Sequence, residues 1–183
     1  HTHNDCGLAV ANSLLAVEAG ATHVQGVLLG FGERTGNANL STIIADLQLK
    51  MNCECIPKEN MKLLTPICKR VAEITNISLA TGMPFVGGSA FAHKAGMHID
   101  AVIKNPFAYE HITPETVGNE RVFLMSEVAG RSMIIEKDRR GEFIPVCTRN
   151  VFLKYYSQDP SQIHYWSAMD RKDYLEAIKN TLA

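Results

Sequence analysis

The sequence predicts an α/β fold of the parallel type, and three consecutive stretches predict it. Residues 23–29, His-Val-Gln-Gly-Val-Leu-Leu, are short, apolar and β-branched, as a buried parallel strand requires. Gly30-Phe31-Gly32-Glu33-Arg34-Thr35-Gly36-Asn37 follows as a turn dense in glycine. Leu40, Ile43, Ile44, Leu47 and Met51 then recur at helical spacing behind a capping Asn39. Strand, turn and helix in that order form the repeating unit of a parallel sheet.

The other elements follow along the chain. Residues 6–20 read as a helix that Asp5 or Asn4 can cap, with Leu8, Ala11, Leu15 and Ala19 on one face and Gly20 as its stop. His23 reads as a structural strand-end histidine. Pro57 suits the first turn of a further helix, whose apolar stripe is Met61, Leu64, Cys68, Val71 and Ile74, ending at Thr75. Residues 76–90, with three glycines and Pro84, read as a loop. Phe91 to Lys104 reads as a helix that Asn105-Pro106 ends. Pro114 starts a short turn or helix up to Gly118, and Val122 to Met125 reads as a strand.

Composition narrows the function classes. The 183 residues are enough for a domain with a real core, and 18 basic against 19 acidic residues give a net charge of −1. That balance points away from nucleic acid and from a membrane surface, and no apolar run is long enough for a span. No secretory leader is read. Five cysteines, Cys6, Cys53, Cys55, Cys68 and Cys147, form no framework and read as reduced thiols of a cytoplasmic protein. Cys53-Glu54-Cys55 lacks zinc-ribbon spacing and reads as a loop pair.

The candidate chemistry lies at the start. In His1-Thr2-His3-Asn4-Asp5, an extended backbone sends residues i and i+2 to one face, so His1 and His3 aim at a common point. Two imidazoles there supply half of a divalent cation's shell, and a plain surface pair is the alternative. Asn37, in a turn at a strand's C-terminal end, offers a neutral amide oxygen as a third ligand. Gly32 and Gly36 permit close backbone approaches, and Glu33 with Arg34 reads as a local ion pair that stiffens the turn. A glycine-rich turn without function is the alternative here.

Taken in series, the motifs carry more. His-Thr-His-Asn-Asp, a helix ending Glu-Ala-Gly-Ala, and Gly-Phe-Gly-Glu-Arg-Thr-Gly-Asn-Ala-Asn-Leu stand in order. After them come Ser89-Ala90-Phe91-Ala92-His93-Lys94-Ala95-Gly96-Met97-His98, Lys104-Asn105-Pro106, Tyr109-Glu110-His111-Ile112, Pro114-Glu115 and Val117-Gly118-Asn119. This series closely resembles the acyltransferase family of 2-isopropylmalate, homocitrate and citramalate synthases, relatives of hydroxymethylglutaryl-CoA lyase. Ala-His-Lys, Tyr-Glu-His-Ile and the Ala-Gly-Arg-Ser at Ala129 to Ser132 look most like its citramalate branch.

The resemblance implies a TIM (β/α)8 barrel, of which residues 1–52 hold the last two βα units. It implies a mainly helical linker subdomain over 53–132 and an unassigned tail over 133–183, for which a fused or foreign origin stays open. His1 and His3 match the family's metal ligands at the end of the seventh strand. Asn37 matches the asparagine after the eighth, and Gly32, Glu33 and Gly36 stand beside it as substrate-binding or loop residues. His98 matches a histidine that acts at a neighbouring subunit's site, and Tyr109 a tyrosine that assists it, so a homodimer is implied. His93 and His111 keep structural readings. The implied reaction condenses acetyl-CoA with a 2-oxo acid over a divalent ion (Zn, Mn, Co or Mg). Pyruvate giving (R)-citramalate, in isoleucine biosynthesis, is the first reading. 2-Isopropylmalate synthesis and a non-catalytic remnant are the alternatives.

Three departures accompany the resemblance. The family's Arg-Asp-Gly segment, which supplies an aspartate ligand and a substrate arginine, is absent from these residues. The usual Gly-Thr-Ile-Asn-Gly is replaced by Gly26-Val27-Leu28-Leu29-Gly30, which makes a polar lining apolar. The motifs end near Ser132, and beyond it Asp170 to Leu182 reads as an amphipathic helix.

Overall fold

The computed structural model describes residues 1–124. Met125, the Ala129–Ser132 motif, Cys147, the tail and its helix lie outside the described residues. The described elements are α1 (Ala9–Glu18), α2 (Leu40–Leu49), α3 (Leu64–Thr75), β1 (Ala92–His93), α4 (Gly96–Lys104) and β2 (Val122–Phe123), with four short 3-10 turns between them. The described residues are therefore α/β, and their only named sheet is the pair β1–β2. No closed barrel is present among them. By packing they fall into two compact units, residues 1–92 with 112–121, and residues 93–111 with 122–124.

In the first unit, α1 starts later than expected. Its N-cap is Leu8, which makes no side-chain cap bond, and Asn4 Oδ1 from further back accepts from Ala9 N at 3.3 Å, while Asp5 is engaged elsewhere. The buried face also differs. Ala9 with half-buried Val10, Leu14 and Val17 packs on Ile43 and Leu47 of α2, while Leu8 and Leu15 are exposed. The helix is apolar on both sides, so its period alone cannot select the face that packs. The segment before the glycine turn departs more. Val27 is extended and makes one parallel bridge to Asn39, and Leu28–Gly30 turns into a 3-10 conformation with Leu29 at φ 64°. A strand is stable only when its backbone groups find a ladder, and among the described residues residues 23–29 find that single bridge.

α2 follows its sequence signals, with Asn39 Oδ1 accepting from Ser41 N at 3.1 Å and Ile43 and Ala45 buried. The helix expected from Pro57 forms in two steps, a 3-10 turn over Lys58–Leu63 and then α3. Met61, Leu64 and Cys68 of its stripe are buried, while Ile74 is exposed at the far end. They pack with Ala45, Phe85, Val86, Phe91, Ile112 and Val117 in the main core of this unit. Burial of each large apolar side chain there contributes about 1.5–3 kcal/mol. Phe85 and Val86 come from the loop 76–90, and Asn119 Nδ2 pins that loop by donating to Phe85 O at 2.9 Å and Gly87 O at 3.1 Å.

In the second unit, α4 begins at Gly96 rather than Phe91, because Ala92–His93 pairs as β1 with β2. Leu124 N donates to His93 O at 2.8 Å. Ile99 and Val102 of α4 and Phe123 of β2 form its core. Asn105 ends α4 and its side chain caps the next turn, accepting from Phe107 N at 3.2 Å. As expected, Pro114 opens a short turn, Pro114–Val117, closed by Gly118 in the first unit.

Candidate metal centre

The first three residues and the end of the glycine turn lie antiparallel. Asn4 N donates to Gly36 O at 2.9 Å and Ala38 N to Thr2 O at 3.0 Å, with His3 opposite Asn37 between them. This is the non-hydrogen-bonded kind of antiparallel pair, in which opposed side chains stand closest. Alternation puts His1 on the same side as His3, and their Nε2 atoms lie 3.3 Å apart with the rings edge to face. Thr2 faces the other way and docks onto α1. Its Oγ1 donates to Ala9 O at 3.0 Å and meets Ser13 Oγ at 2.9 Å. That anchorage fixes the strip that carries the two imidazoles.

Asn37 stands opposite His3 in this pairing. Its Nδ2 donates to Phe31 O at 2.9 Å, which fixes the amide and leaves Oδ1 buried without a hydrogen-bond partner among the described residues. An orphaned buried acceptor costs about 1–3 kcal/mol unless something else engages it. Gly32 lets the amide dock, since a Cβ on it would overlap Asn37 Nδ2. Gly36 is buried and a Cβ on it would overlap Gly30 O. Two neutral imidazoles and an amide oxygen suit a divalent cation with borderline or hard preference, and three ligands leave room in its shell for oxygens of other origin. The residues present fit such an ion. Among the described residues no group of three or more His, Cys, Asp and Glu could hold one.

The turn is tied to the histidine segment by a second contact. Arg34 Nε donates to Asp5 Oδ2 at 2.9 Å and Nη2 to Oδ1 at 3.2 Å, and Thr35 Oγ1 lies 3.2 Å from Oδ1. The Arg34 hydrogen bond holds the Asp5 carboxyl below its ordinary range, and the carboxylate raises Arg34 in return. The expected Glu33–Arg34 pair is looser, at 3.8 Å, and the Glu33 side chain is 88% exposed. The stiffening partner is therefore Asp5, because a guanidinium fork matches a carboxylate presented across the strip better than one beside it in sequence.

His98 and Tyr109 belong to the second unit and meet there, with ring centroids 4.2 Å apart and planes tilted by 30°. Both are exposed. His93, read as structural, pairs with Glu110 at 3.0 Å, and Glu110 is buried. His23 is exposed, and Cys6, Cys53, Cys55 and Cys68 are free thiols. The sequence reading missed Asp5, Ser13 and Glu110. Opposite charges on Asp5 and Arg34, at the ends of two segments both placed at strand termini, were the available signal for the first.

Residues 1–75 match the HMGL-like family and residues 85–143 the homocitrate synthase post-HMGL domain-like family. The (R)-citramalate synthase of Synechocystis sp. is 57% identical over 137 residues, 75% of this chain and 25% of the relative. That of Aquifex aeolicus is 57% identical over 137 residues, 75% of this chain and 26% of its own length. A probable 2-isopropylmalate synthase of Ignicoccus hospitalis is 43% identical over 131 residues, 72% of this chain and 32% of the relative. The chain spans about a quarter of the length of the citramalate synthases it matches. His1, His3 and Asn37 lie inside the first match and His98 and Tyr109 inside the second, so residues 1–75 belong with the HMGL-like family and residues 85–143 with the homocitrate synthase post-HMGL domain-like family.

Proposed function

We propose that this chain carries part of the machinery of an acyltransferase that condenses acetyl-CoA with a 2-oxo acid, pyruvate first, to give (R)-citramalate. The single observation that carries the reading is the cluster of His1 and His3 Nε2 with the unpartnered Asn37 Oδ1. A divalent cation bound there supplies Lewis-acid polarisation of the keto oxygen. His1, His3 and Asn37 would hold it, with the Asn37 amide fixed by Phe31 O and the histidine strip kept on α1 by Thr2. Zinc, manganese or cobalt suits this set better than magnesium.

His98 and Tyr109 take the proton work of the second unit, as an imidazole and a phenol in ring contact. Loss of a proton from the acetyl methyl gives an enolate that attacks the keto carbon, and water then cleaves the thioester to release CoA thiol. His98 serves the site of a neighbouring copy, which makes the working state a homodimer. No helix among the described residues is long and apolar enough to cross a membrane. A cytoplasmic location belongs to the same proposal. A second reading, 2-isopropylmalate synthesis, is favoured by the Ignicoccus relative.

The test is thiol release from acetyl-CoA by this chain complemented with the remaining portion of a citramalate synthase relative. Pyruvate-dependent release that His3→Ala abolishes is the expected result. Release only with the branched 2-oxoisovalerate selects the second reading, and no release with either acid at any divalent metal overturns the function.

A further inference from the structure

We propose that His93 and Glu110 are positioning residues that set the ring contact between His98 and Tyr109, an inference that rests on the proton role given to that pair. His98 and Tyr109 are both exposed, so burial does not hold their rings together. Their contact depends on where the backbone places them. Glu110 follows Tyr109 directly, and the N–H groups of both residues donate to Pro106 O, at 3.2 and 3.0 Å. His93 ends β1 five residues before His98, which lies in the first turn of α4.

A buried contact joins these two supports. His93 Nε2 and Glu110 Oε1 are 3.0 Å apart, with side chains 10% and 2% exposed. A carboxylate is buried only where it is paired, so the link resists separation far more than an exposed contact would. His93 is itself held by Leu124 N on its carbonyl at 2.8 Å and by the Phe123 ring, 6.1 Å from its own. Glu110 is thus fixed to a braced strand end. The two sequence neighbourhoods that carry His98 and Tyr109 are joined at their bases by this link. Loss of it frees the turn that carries Tyr109 from the start of α4.

The test uses the full chain in solution, with Glu110→Ala, His93→Ala, Glu110→Gln and Tyr109→Ala. Nuclear Overhauser contact between the His98 and Tyr109 rings, and the ring-current shift of the His98 protons, report the geometry directly. Glu110→Ala and His93→Ala are expected to lose the contact and move the His98 signals to their positions in Tyr109→Ala. Glu110→Gln, which keeps an acceptor oxygen for an imidazole N–H, is expected to retain both. The Ile99 and Val102 methyl signals are expected to stay dispersed throughout. A contact that survives Glu110→Ala overturns the proposal. So does a Glu110→Gln chain that behaves like Glu110→Ala, or collapse of the Ile99 and Val102 signals with the contact, since the link then holds the unit's core. In the complemented enzyme, Glu110→Ala is expected to lower kcat about 10-to-100-fold while KM for the 2-oxo acid holds. Failure of the proton role shows separately, as turnover unchanged by His98→Ala.

Discussion

Arg34 grips Asp5 through two hydrogen bonds, 2.9 Å from Nε and 3.2 Å from Nη2, although 29 residues separate them in sequence. The fork closes the glycine turn onto the strip that bears His1 and His3. Both side chains are half exposed, so the pair adds little to global stability. Its effect falls on the geometry of the centre. Arg34→Ala is expected to weaken zinc or manganese binding by up to about tenfold, as outer partners of metal ligands do, with the melting temperature almost unmoved. Arg34→Lys keeps the charge but loses the fork, and is expected to recover only part of the affinity. Titration calorimetry with each ion checks both.

Two glycines of the same turn separate folding from binding. Gly32→Ala puts a methyl against the Asn37 amide, a side-chain group that can swing away from Phe31 O. Metal affinity is expected to fall beside a smaller loss of stability than at Gly36, a loss that arises because Gly32 is at φ 157° and the methyl also meets Asn37 N at 3.0 Å. Gly36→Ala puts the methyl against Gly30 O, a backbone atom, at φ 96°, and is expected to destabilise by more than about 1 kcal/mol. Denaturant midpoints and calorimetry on the two variants distinguish the effects.

Ile43 is 1% exposed, where α2 meets α1. Ile43→Ala leaves a cavity that Ala9 and Ala38 are too small to fill, and is expected to cost about 2–5 kcal/mol. Urea unfolding measures it. Ile74→Ala, on a 70% exposed residue, is expected to stay within about 0.5 kcal/mol.

Cys68 gives the fold an alkaline limit. Burial pushes its thiol above the ordinary 9.0, against the opposing hydrogen bond with Ser41. A raised folded-state value means that stability is full below the unfolded value and falls as pH rises through the folded one. The urea midpoint is expected to hold up to about pH 9 and decline above it, while Cys68→Ala, lower throughout, declines less. Iodoacetamide near neutral pH is expected to modify exposed Cys6 well before Cys68.

What could be read in the sequence was what is local. Asn39 capping α2, the stripe Met61–Leu64–Cys68 and the same-side placement of His1 and His3 each depend on residues a few positions apart. The face of α1 was not legible, since Leu8 and Leu15 are as apolar as Leu14 and Val17. Nor was the fate of residues 23–29, because strand pairing depends on partners far along a chain or beyond it. The motif series located Asn37, but only the fold shows how its amide is fixed. Phe31 O takes the amide hydrogen, and Gly32 leaves the amide its place. His93 looked structural from sequence, and its buried link to Glu110 gives that word a definite content.

His1 Nε2 and His3 Nε2 stand 3.3 Å apart on one side of the strip, while Thr2 between them is tied to Ala9 and Ser13 of α1. Whatever shifts the start of that helix therefore shifts both rings together.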